Sequence, residues 1–157
     1  MSDNTITNLT VSSYVSLITL DSIPNKTSVL SEIFTTISDA GINIDMINQT
    51  APYRGVVNVS FTISDDDLAK AITVLGQFKK KIPDLRVEVN SNNTKLSVYG
   101  EAMRNMPGVA AKLFTVLAEN DIDIKLVTTS EVDISCLIYE KDTAKAVEAI
   151  KEAFDIL

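Results

Sequence analysis

The chain writes one pattern twice. NMPGVAAKLFTVLAENDIDIKLVTTSE, starting at Asn105, follows the apolar skeleton of NKTSVLSEIFTTISDAGINIDMINQTA, starting at Asn25, when Phe34 is set over Phe114 at an offset of 80. Val29 then meets Val109, Ile33 meets Leu113, Ile37 meets Leu117, Ile42 meets Ile122 and Ile44 meets Ile124. After a five-residue excess in the first copy, around TAPYRG, the match resumes as VNVSFTISDDDLAKAI over VDISCLIYEKDTAKAV. A period this long points to duplicated domains rather than a solenoid.

Both copies carry the same four elements. Leu30, Ile33, Phe34 and Ile37 share one helical face, as do Ala110, Leu113, Phe114 and Leu117. Gly41 suits the end of the first helix and Pro107 the first turn of the second, where a missing N–H costs nothing. Ile42, Ile44 and Met46, then Val57, Val59, Phe61 and Ile63, alternate with polar residues and predict paired antiparallel strands. A second helix follows, with Leu68, Ile72 and Leu75 on its core face, matched by Val147, Ile150 and Phe154.

Adding YVSLITL before the first helix and LRVEV after the second gives β-α-β-β-α-β, the ferredoxin-like order, for residues 14–92. The second copy opens with KLSVYG and stops at Leu157, one strand short. The unassigned strand-like piece is TITNLTV, Thr5 to Val11, which is expected to close the second sheet. The predicted fold is therefore α+β. Two ferredoxin-like domains, 14–92 and 5–12 plus 93–157, have antiparallel sheets with helices on one face, and the first is inserted into the second.

Composition narrows the chemistry. A formal charge of −7 repels a phosphate backbone, so nucleic acid is not an expected partner. No apolar run reaches the length of a membrane span, and MSDNTITNLT lacks the features of a signal peptide, which leaves no membrane role and a cytoplasmic location as the expectation. The chain has one cysteine and no histidine, so disulfides, cysteine-based zinc sites and histidine-based acid–base chemistry are not expected. No catalytic or metal residues are assigned. Cys136 alternates in phase with Ile134 and Ile138 and is expected in the core, while Asp65, Asp66 and Asp67 suit a helix start better than a metal. Lys79 to Lys81 suit a helix C-terminus, and Thr128 to Glu131 read as a polar hairpin turn.

SVYGEAMRNMPGVAAKLFTVLAENDIDIKLVTTSEVDISCLI resembles the second regulatory domain of aspartokinases, and INIDMINQ resembles a turn and strand of their first. These are ACT domains, ferredoxin-like modules that bind amino acids. The resemblance runs from about Ile6 to the C-terminus, and in that family too a segment ahead of the first domain belongs to the second. Nothing resembles the family's opening Lys-Phe-Gly-Gly-Thr motif, and the five glycines form no phosphate-binding loop, so the chain is not expected to phosphorylate aspartate by itself.

The resemblance implies an effector amino acid, lysine or threonine, and no other cofactor. It is held between a first and a second ACT domain, from the same chain or a partner. The helix-start part falls on Asn25, Ser28 and Leu30, the strand part on Gln49, and the facing loop on Asp121, Asp123 and Ile124. The family usually has Asp at Asn25, Pro-Gly at Thr27 and Ser28, and Asn at Asp121 and Asp123. Moving negative charge across the pocket favours lysine over threonine. The implied function is an allosteric regulatory module of aspartokinase in feedback control of aspartate-family amino-acid biosynthesis, acting on a catalytic domain or subunit and forming a homodimer. The alternative is an ACT pair that only dimerises, its ligand site decayed.

Overall fold

The computed structural model describes residues 5–157. The described residues separate into two compact units, Tyr14–Ser91 and the segment before it, from Thr5 up to Ser13, together with Asn92–Leu157. Among the described residues the strands and α-helices are β1 (Asn8–Pro24), α1 (Thr27–Asp39), β2 (Ile47–Gln49), β3 (Val56–Ser64), α2 (Leu68–Gly76), β4 (Arg86–Tyr99), α3 (Val109–Glu119), β5 (Ile124–Thr129), β6 (Asp133–Tyr139) and α4 (Thr143–Ala153). β1 and β4 are long because each serves both units, and each has a left-handed residue at the changeover, Tyr14 (φ 59°) and Asn92 (φ 64°).

In the unit Tyr14–Ser91 the strands lie in the order β2-β3-β1-β4. β1 runs antiparallel to β3, with Ile18 opposite Phe61 and Leu20 opposite Val59. Alternation sends Ile18, Leu20, Val57, Val59, Phe61 and Ile63 into one core, where Ile33 and Ile37 of α1 and Ala71 and Leu75 of α2 cover them. Phe34 meets Phe61 edge-on, ring centres 5.5 Å apart.

In the other unit the order is β1-β4-β6-β5. β4 and β6 run antiparallel with Leu96 opposite Cys136. The N-terminal segment lies along β4: the Thr7 N–H donates to the Tyr99 carbonyl at 2.8 Å, and Ile6 is buried in the same core as Leu96, Val98, Leu113, Leu117 and Phe154. A side chain at Gly100 would put its Cβ 1.8 Å from the Thr5 carbonyl oxygen, so only glycine lets the two backbones pass.

Four details differ from the sequence reading. Ile72 and Phe114, expected on core faces, are 47% and 37% exposed. α3 starts at Val109, so Pro107 precedes the helix instead of opening it; Gly108 (φ 89°) is its N-cap. The strand expected from Ile42 is regular only over Ile47–Gln49, because the Met46 N–H donates to the Thr62 hydroxyl at 3.0 Å rather than to the strand's main chain. Thr128 and Thr129 belong to β5, and the turn is Ser130 to Val132, its Ser130 hydroxyl accepting from the N–H groups of Val132 and Asp133.

Cys136 is buried, and desolvation pushes its thiol up to about 12, as befits a core residue. Asp65–Asp67 form a short 3-10 turn leading into α2, opened by Ser64, whose hydroxyl accepts from the Asp66 N–H at 3.3 Å. Among the described residues no cluster suits a metal ion, and no helix is long and apolar enough to cross a membrane.

Candidate functional site

Each unit has a cradle where a strand turns into a helix beside a neighbouring strand end. In the first, β1 ends at Pro24 and α1 begins at Thr27. The connection is held rigidly. The Asn25 N–H donates to the Gly55 carbonyl at 2.9 Å, and the Lys26 N–H donates to the Pro24 carbonyl at 2.7 Å. Gly55 is available because the five-residue excess forms a tight hairpin: Tyr53 and Val56 exchange both backbone hydrogen bonds across Arg54 (φ 52°) and Gly55 (φ 79°). The insertion that interrupts the repeat thus has a local structural task.

Asn25, Leu30 and Gln49 line one small cavity of about 40 Å³, together with Pro24, Thr27 and Val57. Three of the four residues expected there come together. Ser28, the fourth, is exposed on the first turn of α1 and Thr27 lines the cavity in its place. Lys26 caps α1 in an extended conformation without a side-chain hydrogen bond to the helix, so the first N–H groups of the helix carry their partial positive charge toward the cradle. N–H donors for a carboxylate therefore sit beside the Gln49 amide and the Asn25 side chain, which can accept from an ammonium.

Asp121, Asp123 and Ile124 follow α3 in the other unit. Asp121 is left-handed (φ 55°) and occupies the position that Gly41 (φ 79°) holds after α1. Its N–H donates to Ala118 O at 3.1 Å and that of Ile122 to Leu117 O at 3.0 Å, closing the helix. Asp121 accordingly has a conformational task of its own. Asp123 is exposed, and Ile124 opens β5 opposite Ile138.

The second cradle is where the offset of 80 puts it, yet it is far larger, about 590 Å³. Asn105, Gly108, Ala110 and Thr129 stand in it at the positions equivalent to Asn25, Ser28, Leu30 and Gln49. Thr129, Ser130 and Glu131, part of the polar run that the family resemblance alone raises from a hairpin turn to a regulatory contact, also line it. At its mouth the Tyr99 hydroxyl donates to Glu101 at 2.6 Å, and Arg104 pairs with Glu101 (3.2 Å) and with Glu131. These donors, the Tyr99 hydroxyl first and Arg104 second, hold the Glu101 carboxyl below its ordinary range.

The model of the ACT domain family matches residues 21–77 and again 96–154, most of the chain and both halves of the repeat. The chain belongs to the ACT domain family. Its ACT pair is 39% identical over 142 residues to an aspartokinase of Bacillus sp. (strain MGA3) and 35% identical to aspartokinase 2 of Bacillus subtilis, in each case over 90% of this chain. The chain spans about a third of the length of these curated relatives (34% and 35%). Among solved structures, a chain from aspartokinase alpha and beta subunits superposes with a TM-score of 0.86 at 31% identity, covering 96% of this chain and 99% of that one. The regulatory subunit of aspartate kinase from Thermus thermophilus, in its ligand-free form, gives 0.87 at 27% identity with the same coverage. The ACT pair therefore corresponds to the regulatory part of aspartokinases, the part that lacks the catalytic domain.

Proposed function

We propose that this chain is the amino-acid-sensing module of an aspartokinase, binding lysine, or threonine in its place, for feedback control of aspartate-family biosynthesis. The reading is carried by the first cradle, where Asn25, Leu30 and Gln49 meet at the start of α1 and offer N–H donors and amide oxygens side by side. A free amino acid has a carboxylate and an ammonium about two bonds apart, and needs that pairing. Asp121, Asp123 and Ile124 complete the site as the facing loop of a second ACT domain, Asp123 supplying the charge for a lysine side chain. The ACT domains are taken as 14–92 and 5–12 plus 93–157.

The partner is an aspartokinase catalytic domain or subunit, and the chain acts as a homodimer. β2 and β5 stand at the ends of the strand order, and edge strands suit pairing with a second copy. A ligand that binds one arrangement of domains better than another shifts the catalytic partner by that difference in affinity and by no more.

A thermal-shift panel of amino acids tests the reading, because a ligand for the native state raises its stability by mass action. Lysine at about 100 times its dissociation constant adds about 2.7 kcal/mol. A flat panel sinks the sensor and leaves the dimerisation module, the alternative favoured by the small volume of the first cradle.

A further inference from the structure

The last turns of α3 and α4 carry charge at the unfavourable end. A helix C-terminus is partially negative, yet Glu119 closes α3 and Glu152 lies in the last turn of α4. Glu148 stands one turn before Glu152 on the same face, a like-charged i,i+4 pair that opposes the helix. All three are exposed and line one groove of about 620 Å³ between the two helices. Lys145, the basic residue in its wall, stands 3.9 Å from Asp142, so part of its charge is already answered. Lys151, in the same turn as Glu152, does not line the groove. Local rules of this kind are broken at functional sites. We infer that the groove is a docking surface for a cationic helix of a partner protein, one that carries lysines or arginines a turn apart.

The floor of the groove selects a helix as the occupant. Val116, Ala149 and Ala153 form it, all half-buried. Ala149 and Ala153 are one turn apart, and a row of small side chains leaves a furrow that takes the ridge of a second helix. Glu148 and Glu152 run beside that furrow about 6 Å apart along the axis, the spacing of i and i+4 on a facing helix. Aliphatic side chains of the occupant gain from leaving water against the alanines, while its cations meet the carboxylates.

The first unit does not repeat these residues. In the register that sets Lys70 over Lys145, Glu148, Ala149 and Glu152 stand where the other unit has Thr73, Val74 and Gln77. There the row is bulkier, with Val74 buried, and the three positions carry no charge. The acidic pair and the small row therefore arrive together, in the second copy only, as a surface for one kind of partner requires. The formal charge of −7 attracts cations to the chain in general, so docking in the groove has to be told apart from that background.

The test uses the whole chain with its alanine methyl groups labelled for NMR. The probe is a synthetic helix of about 18 residues made of alanine, leucine and lysine, its lysines at i and i+4. It is expected to shift the Ala149 and Ala153 signals and to leave Ala71, in the core of the other unit, in place. Glu148→Gln with Glu152→Gln should weaken the peptide about tenfold or more. The same double variant should raise the melting temperature of the free chain, because the repulsion is gone. Asp66→Asn with Asp84→Asn removes as much charge from exposed positions of the other unit and should leave the affinity unchanged. The inference is overturned if the groove alanines do not respond, if the two double variants weaken binding alike, or if a peptide of the same composition with scattered lysines binds as tightly. A groove variant that melts below the parent chain would also overturn it, since the carboxylates would then be holding the fold together.

Discussion

The two cradles follow one repeated pattern and differ most plainly in the dipeptide at the helix start, beside the exchanges of Lys26 for Met106, Leu30 for Ala110 and Gln49 for Thr129. Where the first has Thr27-Ser28, α1 extends down into the opening and leaves about 40 Å³; where the second has Pro107-Gly108, α3 starts later and leaves about 590 Å³. Proline cannot donate a main-chain hydrogen bond and glycine adopts φ of 89° without strain, so together they keep the turn unwound. The helices behind the two cradles end at equivalent residues, and α3 begins two residues later in the repeat than α1.

The comparison is sharpened most by changes that act on one unit only. Gly100→Val drives a side chain into the Thr5 backbone and is expected to cost about 3 kcal/mol or more, detaching the N-terminal segment from the unit built on β4. Denaturant unfolding should then show the Tyr14–Ser91 unit outlasting its neighbour; a single unshifted transition would refute the close approach. Next come the paired phenylalanines. Phe34→Ala removes an edge-on contact with Phe61 and should cost about 3 kcal/mol, whereas Phe114→Ala, at a position 37% exposed, should cost about half as much or less. Equal losses would mean the two helices seat alike after all.

Smaller effects are expected at the loop after α3. Asp123→Asn should weaken lysine binding roughly tenfold, about 1.4 kcal/mol for a removed charge contact, and leave threonine binding unchanged. Asp121→Gly should stabilise the fold by about 1 kcal/mol, since glycine adopts the left-handed conformation more easily. If Asp121→Gly instead destabilises the fold, the helix-closing role is wrong. Smallest of all, Cys136 should be nearly inert to thiol reagents at pH 8. Burial pushes its thiol up to about 12, so the thiolate is scarce in the folded chain at that pH and reaction is expected to rise on unfolding.

Much of this was legible in the residues. Alternation along Val57 to Ile63 and helical spacing from Leu30 to Ile37 are imposed by burial, and burial leaves a direct mark on sequence. Other features depend on geometry that spacing does not encode. Phe114 aligns with Phe34, yet Phe34 meets Phe61 edge-on while Phe114 is 37% exposed. Asp121 reads as a ligand by resemblance, and only its φ reveals that it closes a helix. The opening at Met103 to Ala110 depends on where a helix begins, a matter of two residues that the apolar pattern cannot fix.

The account depends first on the Asn25 cradle gripping an amino acid. Calorimetric titration of lysine into the whole chain and into Asn25→Ala with Gln49→Ala addresses it directly. The account predicts saturable heat from the unaltered chain and at least a tenfold loss of affinity in the double variant. Undiminished lysine binding in that variant would contradict it.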